Sequence, residues 1–141
     1  MRVHRRRLPH VDASGAPVFV TWCLDGSLPA GRVFQREHLT SGEAFATWDR
    51  LLEENRAGAR FLAQPEIADL VVAKLREFED SGLCGVDSFV VMPNHVHVLW
   101  TPTGSLAELM RRVKGSTAVA ANRILGRAGQ KSCRRSISID W

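Results

Sequence analysis

Two histidines separated by one residue, His95 and His97, lie in the stretch Met92-Pro93-Asn94-His95-Val96-His97-Val98-Leu99-Trp100. In an extended chain residues two apart share a face and sit about 6.6–6.8 Å from each other. The two imidazoles therefore project together, while Val96, Val98 and Trp100 enter the opposite layer. A helix would need a spacing of four for the same effect, so this pairing requires a strand, which the β-branched composition supports. Two imidazoles on one face can chelate one cation. Such a cation activates a phosphoryl oxygen as a Lewis acid or positions a scissile phosphate for in-line attack. Two ligands do not make a tight site, and Asp87 and Asp12 are the carboxylates read as able to approach the pair. The competing reading makes one histidine a core residue and leaves the other in solvent.

The surrounding pattern supplies elements to position this pair. Pro17 to Leu24 alternates Val18, Val20, Trp22 and Leu24 on one face with Phe19, Thr21 and Cys23 on the other, which predicts a strand ended by Asp25, Gly26 and Pro29. Phe45, Trp48, Leu52 and Asn55 are spaced for a helix that begins near Ser41 and closes around Gly58. From Pro65 onward, Ile67, Leu70, Val71, Leu75 and Phe78 follow helical spacing, with Pro65 in the first turn and Gly82 past the end. Gly85–Met92 and His95–Thr101 read as two strands of a hairpin turned at Pro93 and Asn94. Ser105 is an N-cap for a long helix, with Glu108 at the capping-box position and Gly126 at the other end. Its buried stripe runs through Leu106, Leu109, Met110, Val113, Thr117, Ala120 or Ala121, and Ile124. Trp22, Trp48 and Trp100 are assigned to the core. The last residues, Arg127 to Trp141, show no clear period.

The chain has 141 residues, 45% hydrophobic and 24% charged, with a net charge of +4, which suits one compact domain. No apolar run approaches the roughly 20 residues of a membrane span, and no signal-peptide core follows the basic start, so the expectation is a cytoplasmic protein. Cys23, Cys84 and Cys133 are odd in number and lack a CxxC pair, which disfavours a disulfide framework or a thiolate zinc site. Residues 1–7 carry four arginines, residues 8–108 carry 7 basic against 14 acidic side chains, and residues 109–141 carry eight basic residues against Asp140 alone. Basic ends around an acidic middle point to a polyanion, with nucleic acid the leading candidate. Arg5, Arg6, Arg7, Arg111, Arg112, Lys114 and Arg123 are the expected phosphate contacts. The sequence contains no tyrosine, which excludes a tyrosine nucleophile from these residues.

Met92 to Leu99 resembles the HUH motif of the single-strand DNA transposases of the insertion-sequence-200 type, in particular their REP-associated tyrosine transposase branch. Arg5-Arg6-Arg7-Leu8-Pro9-His10 before the Phe19-Val20-Thr21 strand is similar to that family's opening. Val113-Lys114-Gly115-Ser116-Thr117 and Ala121-Asn122-Arg123-Ile124-Leu125-Gly126 resemble its helix after the HUH strand. The resemblance implies an α+β, ferredoxin-like sandwich, an antiparallel sheet with helices packed on one face and the histidine pair on a central strand. It implies Mg2+ or Mn2+ at His95 and His97, single-stranded or hairpin DNA as partner, and strand cleavage and transfer through a phosphotyrosine.

The missing tyrosine departs from that pattern. The expected organisation is an HUH domain over 1–126, including a basic arm over 1–16, followed by a basic irregular tail over 127–141. Loss of the reading frame near Lys131 would account for a truncated product and a catalytically incomplete chain. The alternatives are a non-catalytic DNA-binding remnant or regulator and a metal-dependent phosphodiesterase that uses water. A homodimer that covers an exposed apolar face is also expected.

Overall fold

The computed structural model describes residues 15–24, 41–54, 58–129 and 133–140. Its regular elements are β1 (Val18–Leu24), α1 (Ser41–Glu54), a single 3-10 turn (Phe61–Ala63), α2 (Pro65–Asp80), β2 (Cys84–Val91), β3 (His95–Pro102), α3 (Leu106–Ile124) and β4 (Cys133–Asp140). Four strands form one sheet in the order β2-β3-β1-β4, and every neighbouring pair is antiparallel. Two split β-α-β units produce this order: β3 lies between β1 and β2, and β1 lies between β3 and β4, which is the ferredoxin-like arrangement. The α+β class and the central position of the histidine strand are as the sequence led us to expect.

Side-chain alternation divides the sheet into two faces. Val18, Val20, Trp22 and Leu24 of β1 and Val96, Val98 and Trp100 of β3 form one core with Ile67, Val71, Leu75 and Phe78 of α2 and Leu106, Leu109, Met110, Val113 and Ala121 of α3. Helices α2 and α3 thus pack on one face because their apolar stripes match the apolar face of the strands. The Trp22 and Trp100 rings stack at 6.3 Å between centroids with 25° between planes. His95 and His97 point from β3 to the other face.

Local signals explain the boundaries. Pro65 opens α2, where the missing N–H costs nothing. Gly82 and Gly126 follow α2 and α3 with φ of 74° and 67°, backbone values that favour glycine past a helix end. Ser105 Oγ accepts from Glu108 N at 3.3 Å, so the expected N-cap is formed. The Glu108 carboxylate instead takes Arg111 and Arg112, and the reciprocal half of a capping box is not made.

Three expectations change. Ile124, expected in the buried stripe of α3, is instead 53% exposed. Asp87 does not approach the histidines: it is exposed at an irregularity of β2 between Val86 and Ser88. Residues 133–140, expected to be irregular, form β4 and pair with β1 from Val18↔Asp140 to Leu24↔Cys133. The alternation of Ser136, Ile137, Ser138 and Ile139 is a short strand pattern that the neighbouring arginines obscure, and an edge strand tolerates such charge. Asp12, His4, His10, His38, Arg5, Arg6 and Arg7 lie outside the described residues. Among the described residues, no helix is long and apolar enough to cross a membrane.

Candidate metal centre

The register of β1 against β3 sets the site. Thr21 pairs with His97, and Cys23 with His95, so Thr21 shares a face with the histidines and stands beside one of them. Thr21 Oγ1 and His97 Nδ1 are 2.8 Å apart. On the other side of the ring, His97 Nε2 lies 2.9 Å from Asp49 Oδ1 of α1. Phe19 stacks on the His97 ring at 5.6 Å, and the two imidazoles meet edge-on at 4.7 Å and 81°.

His95 is held differently. Its side chain is 1% exposed, and Nδ1 lies 2.7 Å from Asn94 Oδ1. Nε2 is buried without a hydrogen-bond partner and faces Asp49 Oδ1 at 3.3 Å. Burial pushes its pKa down to about 4; His97 adds to the depression, while Asp49 opposes it. At neutral pH His95 is therefore an uncharged imidazole, the form in which histidine binds a metal.

Asp49, His95 and His97 each offer one ligand atom, and these atoms all lie within 4.8 Å of one another. The buried, unpartnered Nε2 of His95 is the observation that makes this a fit for a cation rather than a filled hydrogen-bond network. The donor set agrees, because Asp49 supplies the oxygen that Mg2+ or Mn2+ requires and that two imidazoles lack. Thr21 and Asn94 engage the two Nδ1 atoms and orient both rings, as partners of metal-bound histidines do. The Thr21 hydroxyl can donate or accept, so His97 can present either a proton or a lone pair at Nε2. Solvent reaches the cluster from one side, since the Asp49 side chain is 30% exposed against 1% for His95.

Sequence reasoning missed Asp49. Its signal is positional: it stands four residues after Phe45 and three before Leu52, and so falls on the helix stripe otherwise assigned to apolar groups. A carboxylate there needs a partner across the interface.

Cys84 does not join the centre. It is buried, and burial together with Glu79 pushes its thiol pKa up, away from the thiolate that binds metals.

The predicted phosphate contacts on α3 are not brought to the histidines. That helix packs on the opposite face, and its charged residues lie on its outer side. Arg111 grips Glu108 through Nε at 3.1 Å and Nη2 at 2.7 Å, and Arg112 Nε donates to Oε1 of the same carboxylate at 3.0 Å. Those hydrogen bonds hold Glu108 down at about 2. Lys114 is half-buried and Arg123 exposed.

No protein-family model matches the chain, and no curated protein matches its sequence. Two solved structures have a similar fold. One is described as a transposase from Deinococcus radiodurans R1; it is 14% identical with a TM-score of 0.58, and the match covers 100% of this chain and 86% of that one. The other is a REP-associated tyrosine transposase bound to a REP hairpin, 15% identical with a TM-score of 0.51, matched over 100% of this chain and 62% of that one. The chain thus spans less than two thirds of the second protein. The architecture is that of these transposases.

Proposed function

We propose that this chain is a nucleic-acid-processing protein of the HUH transposase type, of the REP-associated kind, that binds single-stranded or hairpin DNA at a divalent-metal centre made by Asp49, His95 and His97. The convergence of the Asp49 carboxylate on the two Nε2 atoms, within 4.8 Å, carries this reading. The hairpin-bound neighbour supports the class of DNA. A divalent ion held there, Mg2+ or Mn2+, supplies Lewis-acid polarisation of a phosphoryl oxygen. The protein residues do the rest: His95 presents an uncharged nitrogen from a dry position, Asp49 brings the negative oxygen, and Thr21 steadies His97. Arg111, Arg112, Lys114 and Arg123, with Arg5, Arg6 and Arg7, are the proposed phosphate contacts that hold the strand.

A second reading is favoured by one observation. The 141 residues contain no tyrosine, so they supply no phenol for a covalent intermediate. On that reading the chain binds metal and DNA without transferring a strand by itself, or cleaves with water as the nucleophile.

One assay separates these outcomes. The purified chain is incubated with hairpin-flanked single-stranded DNA and Mn2+, and adducts, free products and retention are measured. Salt-sensitive retention with His95- and His97-dependent cleavage supports the proposal. Cleavage without an adduct selects water as the nucleophile, and retention alone selects the binding role. A chain that neither binds Mn2+ nor retains DNA overturns all of them.

A further inference from the structure

We propose that Asn94 is a positioning residue of this centre, using the two ends of its carboxamide to fix the tautomer of His95 and to dock the helix that carries Asp49. The inference rests on the reading of Asp49, His95 and His97 as metal ligands, and it adds a residue that touches no cation itself.

Asn94 is 2% exposed and occupies the turn between β2 and β3. Its Nδ2 donates to Leu52 O at 2.7 Å. That carbonyl belongs to α1, three residues after Asp49. The Asn94 side chain therefore ties the β2–β3 turn directly to the stretch of α1 that carries Asp49. The same bond fixes which way the amide points, since only the nitrogen end can donate to a carbonyl. Oδ1 is left facing His95 Nδ1 at 2.7 Å.

An amide oxygen only accepts, so His95 Nδ1 must carry the hydrogen. In the neutral ring Nε2 then has a lone pair, with Asp49 Oδ1 3.3 Å away. Without Asn94 the better arrangement is the reverse, with Nε2–H donating to Asp49. That tautomer satisfies both groups and blocks the nitrogen a cation would use. Asn94 thus holds the site in the form that binds a metal.

The backbone of the turn is clamped to match. Leu24 N donates to Asn94 O at 2.9 Å, Leu62 N to Pro93 O at 3.2 Å, and Met92 N to His95 O at 2.8 Å. Strand β1, the segment before α2 and the hairpin itself all bear on the position of one carboxamide.

The test uses the 15N-labelled, metal-free chain at neutral pH, with long-range proton–nitrogen correlations of the imidazole rings and Mn2+ titrations alongside. Wild-type His95 is expected as the Nδ1–H tautomer. Asn94→Leu, which removes both hydrogen bonds and keeps the same branching, should move His95 to the Nε2–H form and weaken Mn2+ binding by roughly ten- to a hundredfold. Asn94→Asp keeps an acceptor for Nδ1–H and loses the donor to Leu52, so it should retain the wild-type tautomer. The proposal is overturned if wild-type His95 carries its proton on Nε2, if Asn94→Asp loses the Nδ1–H form, or if folded Asn94→Leu keeps the tautomer and binds Mn2+ within about threefold of wild type. Should Asn94→Leu fail to fold, the wild-type and Asn94→Asp spectra still decide. Absence of Mn2+ binding by the wild type would remove the metal reading, while the tautomer spectra would separately decide the role of Asn94.

Discussion

Asp49 Oδ1 and His95 Nε2 face each other at 3.3 Å with no hydrogen bond between them. An acceptor opposite a lone pair is unfavourable in a buried place, and a cation between them relieves it. Asp49→Asn is therefore expected to separate stability from function. The amide nitrogen can donate to His95, and His97 can adapt through Thr21, so the metal-free variant should be more stable by about 1 kcal/mol. Mn2+ affinity should fall by at least about tenfold. Urea unfolding without metal and calorimetric titration with it check the two halves.

Acid should destabilise the metal-free chain over a defined window. Unfolded histidine titrates near roughly 6.5, and folded His95 at about 4. Between these values the unfolded chain binds more protons, so stability is lost as pH falls through the window and is flat above it. The contribution of this site reaches ~3 kcal/mol at the acid end. Urea midpoints at a series of pH values measure the slope, and His95→Asn should remove this part of it.

Thr21→Val tests the partner of His97. Valine keeps the β-branched shape and the strand, and removes the Oγ1 that lies 2.8 Å from Nδ1. Mn2+ binding should weaken by about tenfold, whereas Thr21→Ser should stay close to wild type. Equal affinities for all three chains would show that the hydroxyl does not orient the ring.

Glu108→Gln releases Arg111 and Arg112 from a shared carboxylate. If α3 contacts phosphate, the variant should retain single-stranded DNA more tightly, and its affinity should fall more steeply with salt. Filter retention across a salt series gives both quantities, and an unchanged slope would place the DNA elsewhere.

Leu75→Ala is expected to cost about 3 kcal/mol, because Leu75 is 1% exposed in the core under the sheet and its loss leaves a cavity. In chain that remains folded, Mn2+ affinity should not change, since the residue sits across the sheet from the centre. A coupled loss of both would mean that the two faces do not act independently.

Much of this molecule is written in local pattern. The strand Val18–Leu24, the helix from Pro65, the Pro93-Asn94 hairpin and the Ser105 cap depend on neighbours within a few positions, and all are visible in the chain order. The pairing of His95 with His97 is likewise a period-two fact. Asp49 was not legible in that way, because its place beside the histidines depends on how α1 docks, and residues far apart in sequence decide that. Asp87 is near in sequence but sits at an irregularity of β2. Strand β4 was hidden because its alternation is short and begins beside two arginines.

The position of β1 has a consequence for how the chain reaches this structure. Val20 pairs with Val98 on one side and with Ser138 on the other, so neither neighbour of β1 is close to it in sequence. Closure of such long loops costs entropy before any pairing offsets it, which slows folding. During synthesis β1 emerges long before either partner, with Val20 and Trp22 still uncovered. Helix α2 and the β2–β3 hairpin are the more local units, whereas β4 joins the sheet through β1 alone. The chain is therefore expected to need protection of its N-terminal strand on the ribosome, and to collapse late rather than stepwise.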